Sequence, residues 1–287
     1  MHGRCNHAHR TRNHEVPAMI DLRQCADKLA GLSTDYLLTY TRYQPYILPD
    51  GTLTGAGYSQ LTGDMTYSVN PEEQLMEKGI AFVQATRDYS RMYEDFIGGL
   101  KATIGSLSGL THHDFACNSG YLCYRLLQEG AFASSGSDVY DFVPIFSAMN
   151  NALNVNATYV QASYDFMSHR PNVDLTPRDI VTCTAFMLHS SDPTFLLHYL
   201  ASITRRYLML VSLYPRNDDY VVSYSKATSV FLGGKFPMCF DGSTLMSDAL
   251  LRYGLESLGF RTVVEITRRP YWILRHDDWR CFIAVRD

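Results

Sequence analysis

Residues 107–138 read LSGLTHHDFACNSGYLCYRLLQEGAFASSGSD, and this stretch decides how the rest of the chain is interpreted. A strand-like run leads into a turn of small residues ending at Gly120, an amphipathic helix follows, and a second strand closes on Asp138. Small residues let backbone N–H groups approach a ligand at a helix N-terminus, and an acid at the tip of the next strand can accept hydrogen bonds from ribose hydroxyls. The order strand, turn, helix, strand and acid therefore predicts a mononucleotide site.

The motif D-x-(G/A)-C-N-x-G-Y, followed by a helix, G-A and then G-x-D, resembles the cofactor motif of class I S-adenosylmethionine-dependent methyltransferases. The resemblance extends from about Thr111 to the C-terminus. The sequence departs from the family pattern at Ala116, which replaces the first motif glycine. It departs again at His112 and His113, which take positions where aliphatic strand residues are common.

The resemblance implies that S-adenosylmethionine is the cofactor. In the family, the acid that matches Asp114 helps hold the amino acid end of the cofactor, usually through water. A carboxylate at Asp138 is expected to accept from two ribose hydroxyls, with Val139 against the adenine. Two structural alternatives remain open, because Asp114 could cap the following turn and Asp138 could cap a helix that begins near residue 140. The full set of expected cofactor contacts is Asp114, Ala116, Cys117, Asn118, Gly120, Asp138, Val139, Ser163, Tyr164, Cys183 and Thr184.

Composition limits the kinds of partner. The chain has 287 residues, of which 46% are hydrophobic, and a formal net charge of −4. That charge makes nucleic acid an unlikely partner. No apolar run approaches the roughly 20 residues that span a bilayer, and the seven scattered cysteines contain no C-x-x-C pair. We therefore expect reduced thiols, a cytoplasmic location and a small-molecule substrate; the oligomeric state is left open.

The chain before residue 107 is interpreted as two parts, followed by the cofactor domain at 107–287. Residues 1–20 are expected to form a flexible tail, because the histidines of residues 1–18 have no second ligand cluster that would complete a metal site. Residues 21–106 are expected to form a helical cap and lid. Within them, the turn-rich and tyrosine-rich connector at 42–69 is either a lid or an irregular wrap over a core. One long helix or two are expected to begin at Asn70-Pro71 and to end near Gly105, with Gly98-Gly99 as the weakest point.

From residue 108 the pattern alternates between strands and helices, which predicts an α/β fold of the Rossmann-like kind. Such a fold has a mostly parallel sheet with helices on both faces, and it binds a ligand beyond the carboxyl ends of the strands. The family resemblance adds a seventh, antiparallel strand at 279–285. The expected strands are 110–116, 132–137, 157–162, 179–184, 207–213, 260–267 and 279–285. The expected helices are 119–129, 140–152, 192–204 and 243–258.

The candidates for catalysis and substrate binding lie outside the cofactor motif. His189 follows the tip of the fourth expected strand and titrates near neutral pH, so it is a candidate acid–base group; a structural or capping histidine is the alternative. Tyr58 is a candidate for closing over the cofactor's sulfonium, because an aromatic face or phenol oxygen near a cation is favourable. Plain packing of the tyrosines is the alternative. The expected substrate contacts are Tyr43, Tyr46, Tyr214 and Asn217.

Three functions are compatible with this pattern. The first is a methyltransferase that acts on a small molecule. The second is an enzyme of the same fold that uses the cofactor without methylation, by intramolecular cyclisation to azetidine-2-carboxylate with release of methylthioadenosine. The third is an RNA-modifying enzyme or a non-enzymatic binding module, and the acidic balance of the chain speaks against RNA.

Overall fold

The computed structural model describes 29, 32, 44, 46, 48, 89–165, 168, 170–226, 242–266 and 279–286. The expected tail at 1–20, Tyr43 and Tyr58 lie outside the described residues. Of the expected cap at 21–106, the structure describes five single residues in the part before 89 and a helix, α1, at residues 89–104. This helix is continuous through Gly98 and Gly99, where the sequence predicts its weakest point.

A seven-stranded sheet forms the centre of the described chain. In the order in which they lie side by side, the strands are β3, β2, β1, β6, β7, β11 and β10. Their bounds are β1 Thr111–Phe115, β2 Ala133–Asp138, β3 Thr158–Gln161, β6 Arg178–Thr184, β7 Thr204–Leu213, β10 Thr262–Ile266 and β11 Trp279–Val285. β1, β2, β3, β6 and β7 pair in parallel, and β11 runs antiparallel to both of its neighbours. The prediction of a mostly parallel, Rossmann-like sheet with an antiparallel strand at 279–285 is therefore confirmed.

The helices of the second half confirm the predicted alternation, with shifted ends. They are α2 Tyr121–Gln128, α3 Val143–Leu153, α4 Pro193–Ser202 and α5 Asp248–Ser257. The Asp192 carboxylate accepts from the N–H groups of Thr194 at 3.1 Å and Phe195 at 3.2 Å, which fixes the start of α4. α3 begins five residues after Asp138 and its N-cap position is Phe142, so the helix-capping alternative for Asp138 is wrong.

One predicted helix is too long at its N-terminal end. The sequence predicts helix over 243–258, whereas residues Gly242–Met246 form the strand β9. β9 pairs with β8, Val222–Lys226, in a separate antiparallel hairpin. The helix begins only where the Ser247 hydroxyl accepts from the N–H of Leu250 at 3.2 Å and Asp248 occupies the first turn. The other short hairpin, β4 Tyr164–Asp165 with β5 Arg170–Pro171, is also absent from the prediction.

Two hydrophobic cores lie on opposite faces of the sheet. Successive residues of β7 alternate between them: Met209 and Val211 pack with α1, α2 and α3, while Leu208 and Leu210 pack with α4 and α5. The first core also contains Leu29, Tyr46 and Leu48, so the segment before α1 contributes to it. The prediction of helices on both faces is confirmed. Within the described ranges, no helix combines the length and the apolar character needed to cross a membrane.

Candidate functional site

The turn between β1 and α2 has an unusual backbone. Ala116, Asn118 and Gly120 adopt positive φ angles of 56°, 49° and 85°. Glycine tolerates this region freely and asparagine tolerates it moderately, whereas alanine is disfavoured there. Ala116 therefore keeps the conformation of the glycine that it replaces, at some cost in stability.

The amides of this turn are bonded within the chain, which corrects one expectation. The sequence predicts that the turn offers N–H groups to a ligand, but the five amides from Cys117 to Tyr121 already have acceptors. The bonds run from Cys117 N to Ser137 O at 2.9 Å, Asn118 N to Asp138 Oδ2 at 2.9 Å, Ser119 N to Asn118 Oδ1 at 2.8 Å, Gly120 N to Cys117 O at 3.0 Å and Tyr121 N to Gln44 Oε1 at 2.9 Å. What the turn can offer a ligand is close approach rather than these donors.

The side chain of Cys117 points into the core. Cys117 and Cys123 are both fully buried, and a Cβ atom added at Gly136 would lie 2.5 Å from the first sulfur and 3.0 Å from the second. Burial raises the pKa of the Cys117 thiol well above its usual range. Cys117 can therefore contact a ligand through its backbone alone, and Gly136 is required because the two thiols fill the space beside it.

Asp138 holds the turn as well as closing β2. Its Oδ2 atom accepts from the N–H of Asn118, and its Oδ1 atom accepts from the N–H groups of Val139 at 2.7 Å and Tyr140 at 3.4 Å. Burial raises the pKa of this carboxyl, and the three backbone hydrogen bonds act in the opposite direction. A carboxylate has about four lone-pair sites, so capacity remains for a further donor. Because the side chain is partly exposed, such a donor can come from a ligand.

Asp114 is buried beside this turn, and half of its carboxylate is engaged. Its Oδ1 atom accepts from the Thr182 hydroxyl at 2.6 Å. Its Oδ2 atom is buried and has no hydrogen-bond partner among the described residues. Burial raises the pKa of this carboxyl to about 7, against the opposing hydrogen bond from Thr182 and with a further increase from the charge of Asp138. The alternative in which Asp114 caps the following turn is not observed, because the N-cap of α2 is Gly120.

Two histidines precede Asp114 in the middle of the sheet, and both are bonded through both ring nitrogens. His112 contacts the hydroxyls of Ser134 at 2.7 Å and Thr182 at 2.9 Å. His113, on the other face of the sheet, contacts the hydroxyls of Ser135 and Ser137, each at 2.9 Å. Burial lowers the pKa of His112 well below its usual range and that of His113 to about 4, so both rings are neutral at pH 7.

The segment that precedes α1 covers the N-terminus of α2. The side-chain oxygen of Gln44 accepts from the N–H of Tyr121, and its backbone oxygen accepts from the Ser119 hydroxyl at 3.2 Å. The Tyr46 ring packs on the Tyr121 ring with 4.9 Å between centroids. A shallow indentation at this junction is lined by Gln44, Tyr46, Ser119, Tyr121, Tyr124, Ile145 and Met149. Gln44 and Tyr46 therefore pack directly beside the turn between β1 and α2.

The residues expected at the adenine lie beyond the ends of β2 and β3. Val139 is 51% exposed, and its backbone oxygen accepts from the Gln161 amide at 3.0 Å. Ser163 is exposed, and its N–H donates to the side chain of Asn172 at 3.0 Å. Tyr164 belongs to an aromatic cluster with Phe115, Phe186 and Tyr199, with ring centroids 5.5 to 6.3 Å apart. The cluster sits at the carboxyl end of β1, where the flat face of a base could pack.

At the end of β6, the two expected cofactor contacts, Cys183 and Thr184, differ in burial. Cys183 is fully buried, whereas Thr184 is partly exposed and its hydroxyl oxygen is buried with no hydrogen-bond partner within the described part of the chain. Ala185 follows with a φ of 61°, which turns the chain sharply. His189 ends a short 3-10 helix, Met187–His189, and burial lowers its pKa. It does not cap α4, because Asp192 does.

The expected substrate contacts are not brought together. Tyr214 is 1% exposed and its ring packs against Phe282 in the core beside α4 and α5. Asn217 is exposed, and its N–H donates to Asp248 at 3.1 Å. The Tyr46 hydroxyl donates to Gln128 at 2.6 Å along α2, and burial raises its pKa to about 12. Of the three expected substrate contacts that the structure describes, Tyr46 alone lies beside the turn between β1 and α2.

Sequence reasoning missed Thr182 and Gln44. Thr182 lies directly opposite Asp114 in the parallel pairing of β6 with β1, so a register assignment would have found it. The contact of Gln44 joins segments 77 positions apart, and nothing in the local pattern signals it. The polar side chains of β2, ASSGSD, were a visible signal that polar groups lie inside the sheet.

The comparisons with known proteins agree on the fold. No family model matches the chain, and no curated protein matches it. Among solved structures, the N-terminal domain of EvdMO1 with SAH bound is 15% identical, with 93% of this chain and 96% of that chain covered and a TM-score of 0.50. The magnesium protoporphyrin IX methyltransferase ChlM from Synechocystis PCC 6803 is 20% identical, with 72% and 87% covered and a TM-score of 0.46. The [4+2]-cyclase SpnF is 13% identical, with 67% and 80% covered and a TM-score of 0.45.

At this level of identity the likeness shows the fold alone. Together with the strand order β3-β2-β1-β6-β7-β11-β10, it confirms that the chain has the fold of class I methyltransferases. The residues around the turn then form a consistent set: a half-engaged buried acid, a partly exposed acid at the tip of β2, and an aromatic cluster beyond β1. These groups include acceptors that suit a cation or hydroxyl groups, and aromatic rings that suit a planar base.

Proposed function

We propose that this chain, which has the class I methyltransferase fold, is an enzyme that uses S-adenosylmethionine and methylates a small molecule. The observation that carries the proposal is the buried Oδ2 atom of Asp114, which has no hydrogen-bond partner in the described structure. A buried acceptor that lacks a partner costs about 1–3 kcal/mol, more when it is charged. The cationic amino group of the cofactor would provide the missing donor and would favour the ionised acid.

The other end of the cofactor fits the remaining residues. A ribose hydroxyl would donate to Asp138, which retains acceptor capacity after its three backbone contacts. The adenine would lie near Val139 and the ring of Tyr164, where an aromatic face and an exposed apolar side chain are available. These are the roles that the sequence resemblance implies for the same residues.

The chemistry asks little of the protein. When bound, S-adenosylmethionine supplies an activated methyl group on a sulfonium that is already a good leaving group. The chain must then hold the acceptor in line and exclude water. The covering of the turn by Gln44 and Tyr46 supports an enclosed site. His189, whose neutral form is favoured by burial, is the proposed base if the acceptor must lose a proton, and Tyr58 is the proposed contact of the sulfonium.

Cyclisation of the cofactor itself, with release of methylthioadenosine, is the alternative that the same observations support. It needs an enclosed site and no separate acceptor. RNA modification is the weaker alternative, since the chain carries a net charge of −4. A small-molecule acceptor and a cytoplasmic setting are part of the proposal.

One experiment tests the proposal and separates these alternatives. The full chain is incubated with S-adenosylmethionine alone, and the small molecules are analysed by mass spectrometry; binding of S-adenosylhomocysteine is measured in parallel by calorimetry. We expect S-adenosylhomocysteine to bind and S-adenosylmethionine to remain intact until an acceptor is supplied. Formation of methylthioadenosine with a cyclic amino acid would favour the alternative. Absence of binding by either compound would reject the use of this cofactor.

A further inference from the structure

A line of four side chains crosses the sheet and ends at Asp114. Ser134 on β2 contacts Nδ1 of His112 on β1 at 2.7 Å. Nε2 of His112 contacts the hydroxyl of Thr182 on β6 at 2.9 Å, and that hydroxyl donates to Oδ1 of Asp114 at 2.6 Å. All four side chains are at most 3% exposed. We call Ser134, His112, Thr182 and Asp114 the β1 relay.

The direction of every hydrogen bond in the β1 relay follows from proton counting. A threonine hydroxyl has one proton, and Thr182 gives it to the Asp114 carboxylate. His112 must therefore donate from Nε2 to Thr182. A neutral imidazole has one N–H, so Nδ1 is an acceptor and takes the proton of Ser134. The carboxylate thus fixes the tautomer of a histidine that it does not touch.

The neighbouring histidine makes a contrasting set of contacts. The Ser135 hydroxyl donates to the backbone oxygen of His112 at 3.2 Å, so its one proton is used. His113 must then donate from Nδ1 to Ser135 and accept at Nε2 from Ser137. None of these contacts involves Asp114. The two adjacent histidines are therefore expected to hold opposite tautomers, and only His112 is linked to the acid.

We propose that His112 and Thr182 are positioning residues for the cofactor, which rests on the function proposed above. They hold the Asp114 carboxylate with Oδ1 occupied, so that Oδ2 alone is left to accept from the cationic amino group. Without the Thr182 hydroxyl, the carboxylate loses its one protein donor among the described residues. It is then free to rotate and is more easily protonated.

Five other titratable groups interact with Asp114. They are the Tyr93 hydroxyl from α1, the thiols of Cys117, Cys123 and Cys183, and the carboxylate of Asp138. Burial raises the pKa of the tyrosine and of all three cysteines, so these groups stay neutral. Burial also raises the pKa of Asp138, but its proposed contact is the ribose, which both ligands of the test below carry. A pH dependence near pH 7 that differs between the two ligands is therefore assigned to Asp114, whose pKa is raised to about 7.

The test compares two ligands that differ at the amino group. S-adenosylhomocysteine carries the amino acid end, and methylthioadenosine lacks it. Dissociation constants for both are measured by calorimetry from pH 6 to pH 8 with the full chain, with Thr182→Val, and with Thr182→Ser, which keeps the hydroxyl. Ser137→Ala is the matched control, because it removes a buried hydroxyl from the His113 contacts and leaves the β1 relay intact.

We expect Thr182→Val to weaken S-adenosylhomocysteine by about 10- to 100-fold, the range for a hydrogen bond to a charged group, and to leave methylthioadenosine within about twofold. The pH below which S-adenosylhomocysteine binding weakens should rise in this variant, because Asp114 loses the hydrogen bond that lowers its pKa. Thr182→Ser should restore both. Equal weakening of the two ligands would show a general distortion and would overturn the proposal, as would an unchanged pH profile. If the unaltered chain binds neither ligand, the proposed function itself fails.

A second measurement needs no ligand. Nitrogen NMR of the free protein at about pH 8.5 reports which ring nitrogen of each histidine carries its proton. We expect Nε2–H for His112 and Nδ1–H for His113. A proton on Nδ1 of His112 would contradict the β1 relay, whereas His113 tests only the assignment of its own contacts. This readout uses the unaltered protein, so it does not depend on whether a variant folds.

Discussion

Replacing Asp114 by asparagine should make the protein more stable at alkaline pH while it abolishes cofactor binding. Asp114 is 1% exposed, and its pKa rises from 3.8 to about 7 on folding, mainly through burial. Because the pKa is raised, the folded state holds a proton that the unfolded chain releases. The contribution of this group to stability is therefore greatest below pH 3.8 and is lost as the pH rises through 7.

The size of the effect follows from the shift. One pKa unit corresponds to about 1.4 kcal/mol, so the full penalty of ionising Asp114 in the folded state is about 4 kcal/mol. Between pH 5 and pH 8 it grows by about 3 kcal/mol. Asparagine keeps an oxygen for the Thr182 hydroxyl but places an amide without an acceptor at the Oδ2 position, which costs about 1–3 kcal/mol at every pH. Because this cost is the same at every pH, it cancels when the difference in unfolding free energy at pH 5 is subtracted from that at pH 8.

Urea denaturation of the unaltered chain and of Asp114→Asn, at pH 5 and at pH 8, measures the prediction. We expect the difference in unfolding free energy to move by about 3 kcal/mol in favour of the variant between the two pH values. Asp179→Asn is the control, because hydrogen bonds from Thr111 help to lower the pKa of Asp179. The difference in unfolding free energy between this variant and the unaltered chain should therefore stay constant from pH 5 to pH 8. A flat difference for Asp114→Asn as well would refute the account of a strained, half-engaged acid.

Three further substitutions, one of them with a control substitution in α1, test the turn and its surroundings. Asp138→Ala should weaken S-adenosylhomocysteine by about 10- to 100-fold, because a charged acceptor is lost; an unchanged affinity by calorimetry would contradict its assignment to the ribose. Gly136→Ala should destabilise the protein by about 2 kcal/mol, since its Cβ would lie 2.5 Å from the Cys117 sulfur. Gly98→Ala is its control: it meets no atom within 4 Å in a helix and should gain about 0.5–1 kcal/mol in chemical denaturation. Ala116→Gly should gain up to about 1 kcal/mol by relieving a φ of 56°; a loss measured by urea denaturation would count against strain at this turn.

The fold could be predicted from the sequence because local signals and global topology agree. The strand-to-helix alternation and the turn at 114–120 place the cofactor-binding half, and the pairing of strands confirms every expected strand. The helix start at Asp192-Pro193 combines a carboxylate cap with a proline in the first turn, and both act locally. Elements whose ends depend on partners were harder. Residues 243–246 have no helix-breaking residue, yet pairing with β8 holds them in a strand.

The candidate site was less predictable because its contacts join distant segments. Asp114 and Asp138 could be chosen from spacing, since each belongs to the motif. The position of Tyr214 after a strand makes it an expected substrate contact. The direction of its side chain, however, is set by packing against Phe282 on β11. The side chain of Cys117, an expected cofactor contact, likewise points into the core, beside Gly136. Position along a chain indicates which end of the sheet a residue reaches, but not which way its side chain points.

His112 and His113, the two residues of β1 that depart from the family pattern, have a common physical explanation. A polar side chain inside a sheet destabilises it unless each of its polar atoms is bonded. His112 and His113 satisfy this condition because β2 provides three serines and β6 provides Thr182 at matching positions. Aliphatic residues at these positions would need no such partners. The two histidines therefore require matching hydroxyl groups on β2 and β6 that packing alone would not require. The contacts of His112 end at Asp114, whose Oδ2 atom has no hydrogen-bond partner among the described residues. This is why we interpret His112 as part of the proposed site rather than as a tolerated substitution.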